Sequence, residues 1–310
     1  MRIFVAGASG AIGRRLVPKL VEAGHEVTGL TRSEAAAERI RAAGAETVVC
    51  DVFDRERLIE AMREAAPQVV VHQLTALPKA FDVRKIDYAA TNRVRTEGTR
   101  NLIAGVRAAG ATRLIAQSIA FMYAPEGGRV KDEDCRVFTD APGPFGGAVA
   151  ATMDMEQQVT SAEGIEGVVL RYGFFYGPGT YYAADGNLAH ETRKRRQPIV
   201  GKGTGVFSFI HVDDAAGATI AALERGEPGI YNVTDDEPAA MAEWIPSYAE
   251  ALGAKKPLRV PKLVARAAAG VMAVTWATEM RGAANEKAKR ELDWQPTHAS
   301  WREGFREALG

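Results

Sequence analysis

The opening of the chain constrains its fold more than any other stretch. Ile3 to Ala6 is a short β-prone run, and Gly7, Gly10 and Gly13 follow it at the spacing Gly-x-x-Gly-x-x-Gly. An amphipathic helix pattern begins at once, with Ile12, Leu16, Val17, Leu20 and Val21 on one side. Each glycine has a separate job. Gly7 permits a sharp exit from the strand, Gly10 lets a pyrophosphate come up to bare backbone, and Gly13 lets the helix lie close to the sheet. The helix N-terminus adds unpaired N–H groups and a partial positive charge. A glycine triplet alone marks only a tight turn. Set between a strand and a helix, it predicts a dinucleotide site on Gly7, Ser9, Gly10, Ala11, Ile12 and Gly13.

The rest of the first half alternates strand and helix patterns. Strands are expected over 26–30, 46–50, 68–71, 113–117 and 167–171, and helices over 34–43, 55–64, 91–109 and 148–161, with 125–147 as a loop. That alternation predicts an α/β fold, a doubly wound parallel sheet of the Rossmann type. A later strand, Gly229–Val233, is expected to rejoin the sheet. Residues 1–172 with about 206–234 would form the dinucleotide-binding domain. Residues 173–205 and 235–310 would form a smaller, mostly helical substrate lobe.

Charge excludes some partners. Lys plus Arg (39) equals Asp plus Glu (39), so no net field points to nucleic acid or an anionic membrane. Cys50 and Cys135 have no metal-ligand spacing and read as lone thiols in a reducing compartment. No basic-then-apolar leader precedes the first strand, and the apolar stretch 263–277 is broken by Arg266 and Gly270. A soluble, cytoplasmic protein is expected.

Together these residues resemble the extended short-chain dehydrogenase/reductase family, in its epimerase/dehydratase-like branch. The resemblance runs almost from end to end. It is carried by the glycine turn, Asp51-Val52, Gly98-Thr99-Arg100-Asn101-Leu102, Gln117-Ser118, Leu170-Arg171-Tyr172 and Tyr176-Gly177-Pro178-Gly179. Phe209-Ile210-His211-Val212-Asp213-Asp214, Tyr231-Asn232-Val233 and Glu291-Leu292-Asp293-Trp294-Gln295-Pro296 complete it. The resemblance implies that Asp51 and Val52 read the adenine. It places Leu74, Thr75 and Ala76 beside a ribose, and Tyr172, Phe174 and Phe175 near the nicotinamide. It also implies a possible homodimer through the fourth and fifth helices.

Cofactor choice rests on the end of the second strand. Enzymes of this fold that use NAD place a carboxylate there for the ribose hydroxyls. This chain has Leu30-Thr31-Arg32-Ser33 instead. A guanidinium at Arg32 and hydroxyls at Thr31 and Ser33 suit a 2′-phosphate, so NADP(H) is expected over NAD(H).

One departure is as informative as the match. The family's proton-transfer pair is Tyr-x-x-x-Lys on the helix after the long loop. Here Ala148 falls at the tyrosine position and Thr152 at the lysine position, with Glu156 one turn beyond. Arg95 stands where the family keeps a middle-helix asparagine, and Asn92 lies a turn earlier. Ser118 remains where the resemblance implies a hydroxyl bonded to the reacting oxygen. Tyr172 and Tyr123 are the candidate replacement acids, with Tyr176 beyond them. A phenol without a cationic partner has a pKa near ~10, which suits donation during reduction better than abstraction during oxidation.

The first expectation is therefore an NADP(H)-dependent oxidoreductase that reduces a carbonyl in a small molecule by a non-standard relay through Ser118 and Tyr172 or Tyr123. An epimerase, isomerase or lyase that uses the cofactor transiently or structurally, and a non-catalytic dinucleotide sensor, remain open beside it. No metal is expected: His211-Val-Asp213-Asp214 reads as a helix start with an aspartate cap. His72 reads as a satisfied polar residue under the cofactor. Arg193-Lys-Arg-Arg196 is either a solvated face or a clamp for an anionic substrate.

Overall fold

Strand β1 (Arg2–Ala6) lies between β4 (Val69–His72) and β2 (Glu26–Thr31) in a seven-stranded parallel sheet. The other strands are β3 (Glu46–Val49), β5 (Arg113–Ile119), β6 (Glu166–Tyr172) and β7 (Gly229–Val233), in the spatial order β7-β6-β5-β4-β1-β2-β3. The computed structural model describes residues 1–78, 80–82 and 87–309. From β1 the chain winds outward to β3 on one side and, from β4, to β7 on the other. The switch therefore falls between β1 and β4, and a crevice opens outside their carboxyl ends.

Strand alternation sorts the side chains into two cores. Ile3, Val5, Val71, Ile115, Leu170 and Tyr172 face one way, against α1 (Gly13–Glu22) and α8 (Val212–Ala221). Phe4, Ala6, Val70, Leu114 and Val169 face the other, against α3 (Arg55–Ala65), α5 (Thr99–Ala109) and α6 (Pro144–Thr160). Helix α1 turns Leu16, Val17 and Leu20 into the first core. Helix α2 (Glu34–Ala42) is capped by Ser33, which accepts the Ala36 N–H at 3.4 Å, and α3 by Asp54, which accepts the Arg57 N–H at 3.2 Å. The left-handed Ala66 (φ 41°) then ends α3 just before Pro67.

Two expectations change here. The long helix expected over 91–109 is α4 (Ala89–Arg93), a π turn (Val94–Gly98) and α5. A π turn holds one more residue than an α turn, which realigns the faces on either side of it. Helix α6 starts at Pro144, four residues earlier than expected, because a proline at the first helical position gives up only an N–H that is unpaired there anyway.

Beyond β6 a third core gathers aromatic residues. Tyr176 and Tyr182, from the strand Phe174–Tyr176 and the segment after it, pack with Trp244 and Tyr248 of α9 (Met241–Ala251) and Trp301 and Phe305 of α12 (Trp301–Leu309). Helices α7 (Asn187–Arg193), α10 (Lys262–Thr278) and α11 (Glu286–Glu291) complete the C-terminal half. Phe209–His211 pairs in parallel with Phe174–Tyr176, in a ribbon apart from the main sheet. Cys50 and Cys135 are free. No described helix is long and apolar enough to cross a membrane.

Candidate active site

The glycine turn forms the floor of the crevice. Gly7 has φ +95°, and a Cβ there would stand 2.7 Å from the Gln73 carbonyl carbon. A Cβ on Gly13 would meet the Gly7 oxygen at 2.4 Å, so any side chain would lift α1 off the turn. Gly10 N–H donates to Gly7 O at 3.0 Å, and Arg14 Nε to Ser9 O at 2.9 Å, which fixes the turn. Ile12 buries its side chain in the core, leaving only backbone for an anion.

From this floor a cleft runs across the carboxyl ends of the strands. Gly7, Ser9 and Gly10 line one end; Thr31, Arg32, Asp51 and Val52 line the side; Leu74, Thr75 and Ala76 close it after β4. Leu30, Cys50, Phe53, Gln73 and Val94 also line it, and sequence reasoning did not name them. Ser33 belongs to the α2 cap, while Ala11, Ile12 and Gly13 carry the turn into α1 and do not line the cleft. The lining suits an extended dinucleotide: glycine backbone for the diphosphate and a hydroxyl with a guanidinium at the end of β2. Arg32 is exposed, and the next carboxylate in the sequence, Glu34, is bound to Arg41 at 2.6 Å. Asp51 accepts the Phe53 N–H at 3.0 Å, which shapes the loop beside the expected adenine.

His72 is buried beneath the cleft. Leu74 N–H donates to its Nδ1 at 3.3 Å, so Nε2 carries the proton and donates to Thr99 Oγ1 at 3.0 Å. Burial, with Arg95 nearby, pulls its pKa down to about 4, and the ring stays neutral.

The expected proton donors do not face the cleft. Ser118 is buried and donates to Glu156 Oε1 at 2.5 Å. Glu156 in turn holds Arg171, from Nε at 2.8 Å and Nη2 at 2.6 Å. Tyr123 accepts from Arg171 Nη1 at 2.9 Å and donates to Asn232 Oδ1 at 2.7 Å. Its phenol is pushed up to about 12 by burial, against the pull of Arg171. Tyr172 has the opposite parity on β6. It points into the α1/α8 core and shares a 2.7 Å hydrogen bond with Thr219 Oγ1, and burial raises its pKa to about 12. Phe175 follows it, ring to ring at 5.4 Å. The hydroxyls of Ser118, Tyr123 and Tyr172 are thus engaged by partners inside the protein, and Phe174 and Phe175 are not among the residues that line the cleft. The hydroxyls are spent inside the protein, and strand alternation carries the rings away from the cleft.

At the positions of the missing pair, Ala148 and Thr152 are both buried, and the Thr152 hydroxyl donates back to Ala148 O at 2.7 Å. Arg95 reaches the same spot from the π turn, with Nη1 3.4 Å from Ala148 O. An aromatic cluster lies where the chain leaves β5 and β6. Phe121 stacks on Phe174 at 4.2 Å, and Trp276 from α10 touches Phe81, Phe121, Phe145 and Phe174 at 5.3–6.0 Å. Phe174, expected against the cofactor, belongs to this cluster. The basic run lies elsewhere: Arg193 donates to Ala184 O at 2.9 Å and Arg195 to Lys256 O at 3.0 Å. His211, Asp214 and His298 have donor atoms within 4.8 Å of one another. Asp214 is occupied by the Thr297 N–H, the His298 N–H and the His298 ring, tying the C-terminal segment to α8. His211, not an aspartate, caps α8, accepting the Asp213 N–H at 3.2 Å.

Sheet, switch-point cleft and glycine turn define an NAD(P)-dependent enzyme of the short-chain dehydrogenase/reductase type. A sequence profile described as the NAD dependent epimerase/dehydratase family matches residues 3–234, and the chain belongs to that family. Over 306 residues it is 47% identical to a 3-diazoavenalumate denitrifying reductase of Streptomyces sp, spanning 98% of this chain and 99% of that protein. It is 31% identical over 280 residues to a 4-hydroxy-2-methyl-3-oxo-4-farnesyl-3,4-dihydroquinoline-1-oxide ketoreductase of Stigmatella aurantiaca, spanning 89% and 81% of the two. Among solved structures, UDP-glucose 4-epimerase of Thermus thermophilus in complex with NAD superposes with a TM-score of 0.75 at 26% identity, over 100% and 98% of the chains.

Proposed function

We propose that this chain is an NADPH-dependent reductase of a planar aromatic small molecule, and that the group reduced is a diazo group lost as dinitrogen. The glycine turn would hold the diphosphate, Asp51 and Val52 the adenine side, and Leu74 to Ala76 the ribose. Arg32 and Thr31 at the end of β2, where the sequence has no carboxylate before Glu34, favour a 2′-phosphate. The bound cofactor supplies a hydride, so aryl diazonium plus NADPH gives arene, dinitrogen and NADP+.

One observation carries the choice of acceptor: Ser118 and Tyr123 donate their hydroxyl protons inside the protein, and the Tyr172 hydroxyl is engaged there by Thr219. Reducing a ketone builds charge on oxygen, which needs a donor aimed at it. A diazonium ion already carries positive charge, and hydride addition neutralises it with no proton from the enzyme. Epimerisation through a carbonyl would need the same absent donors. The aromatic cluster around Trp276 suits a flat ring. The name of the Streptomyces relative supports the same chemistry.

The test is anaerobic mixing of the protein with NADPH and an isotope-labelled aryl diazonium. Oxidation of NADPH matched one-for-one by labelled dinitrogen is expected. NADPH consumption with ketones of the same skeleton, and none with the diazonium, would overturn the assignment.

A further inference from the structure

Arg95 is the one feature of the reacting end that the reductase reading leaves without a task. It comes from the π turn and keeps only 8% of its surface exposed. Among the described residues its single hydrogen bond is the long one to Ala148 O, 3.4 Å. Among the described residues it has no carboxylate partner, because Glu156, the nearest acid on α6, is already taken by Arg171 and Ser118. A buried guanidinium without a counter-ion is expensive, so such a group is kept where an anion arrives to meet it.

The surroundings say what arrives. Tyr88 packs beside Ala148, with its ring 6.4 Å from Phe145, and Phe145 meets Trp276 edge-on at 5.3 Å. A continuous aromatic wall therefore leads from the α4 side to α10. In that wall the indole N–H of Trp276 is buried and has no acceptor among the described residues. The Arg95 guanidinium, with its one long hydrogen bond, and the unpaired Trp276 N–H thus border one aromatic cluster. Burial pulls the Arg95 pKa down to about 10, with Tyr88 and Glu156 pushing it back up, so the side chain remains a cation at neutral pH.

We infer that the substrate is an aromatic acid, and that Arg95 holds its carboxylate against α6 while the ring lies among Phe145, Phe121 and Trp276. The inference rests on the reductase reading for the identity of the site, and it supplies what that reading lacks. A diazonium cation alone would be repelled by Arg95, whereas one that also bears a carboxylate is neutral overall. Arg suits the task because its planar fork matches a carboxylate in two places.

The experiment is calorimetric titration of the NADP+-loaded protein with cinnamate and with its uncharged amide, which share ring and shape. Cinnamate is expected to bind about tenfold tighter or more. Arg95→Met should erase that difference, and Arg95→Lys should keep part of it. NADPH affinity should be unchanged in both, which also serves as the folding control. Should Arg95→Met fail to bind NADPH, Trp276→Phe and Arg95→Lys carry the test, each with a reduced acid preference expected. Equal binding of acid and amide, no binding of either, or an acid preference that survives Arg95→Met would overturn the inference. Because turnover is not read, a failed diazonium assay with the acid preference intact sinks the reaction and leaves the anion site standing.

Discussion

Glu156 and Arg171 meet in a two-pronged ion pair, Nε to Oε1 at 2.8 Å and Nη2 to Oε2 at 2.6 Å, with both side chains at most 5% exposed. The pair bridges α6 to β6, draws in Ser118 from β5, and reaches Asn232 on β7 through Tyr123. The burial and the hydrogen-bond inventory fit a structural brace, since every polar atom of the carboxylate is occupied.

Removing one side of this brace should be costly. Glu156→Ala leaves a buried, unpaired guanidinium, and a loss of about 3–5 kcal/mol is expected in urea unfolding. The paired replacement Glu156→Met with Arg171→Leu should recover most of it. Equal losses in the single and double variants would show that the pair itself carries the stability and that the stranded charge adds little.

Tyr172→Phe should leave kcat within about twofold and cost about 1 kcal/mol of stability, the worth of one hydrogen bond to Thr219. Steady-state kinetics beside chemical denaturation reads both. A hundredfold fall in kcat with cofactor affinity intact would return the phenol to the chemistry.

Arg32→Ala should weaken NADPH binding roughly ten- to hundredfold, the range expected for losing a charge-assisted contact, and leave NADH within about twofold. Fluorescence titration of both cofactors decides it. Parallel losses would mean that Arg32 touches only what the two cofactors share.

The folded-state pKa of His72 is depressed from 6.5 to about 4, so its contribution to stability is complete above pH 6.5 and drains away as the pH falls toward 4. The total is about 3 kcal/mol. Unfolding measured from pH 7.5 down to pH 4, roughly the span over which such a group titrates, should show an acid limb that His72→Gln flattens. An unchanged limb in that variant would assign the loss to other groups.

The glycine turn was legible because it is a local pattern of a few residues. The parity of Tyr172 was legible too. Val168, Leu170 and Tyr172 alternate with Val169 and Arg171, and one apolar face of a buried strand takes all of the first set. Sequence reasoning placed the ring beside the cofactor and missed that signal. Ser118 was different: nothing near it in sequence announces Glu156, which arrives from a helix 38 residues later. Arg95 was visible as a substitution, but its burial depends on the π turn, and no composition cue marks an added residue inside a helix.

That turn at Val94–Gly98 separates two faces that an uninterrupted helix would have locked together. Residues before it are rotated about 100° relative to those after it, the angular step of one residue around a helix. Asn101 and Leu102 can therefore stay fastened to Val52 and the sheet while Tyr88 and Arg95 are aimed at α6. Cutting one residue from the turn would preserve every strand of the sheet and swing the Arg95 guanidinium away from Ala148.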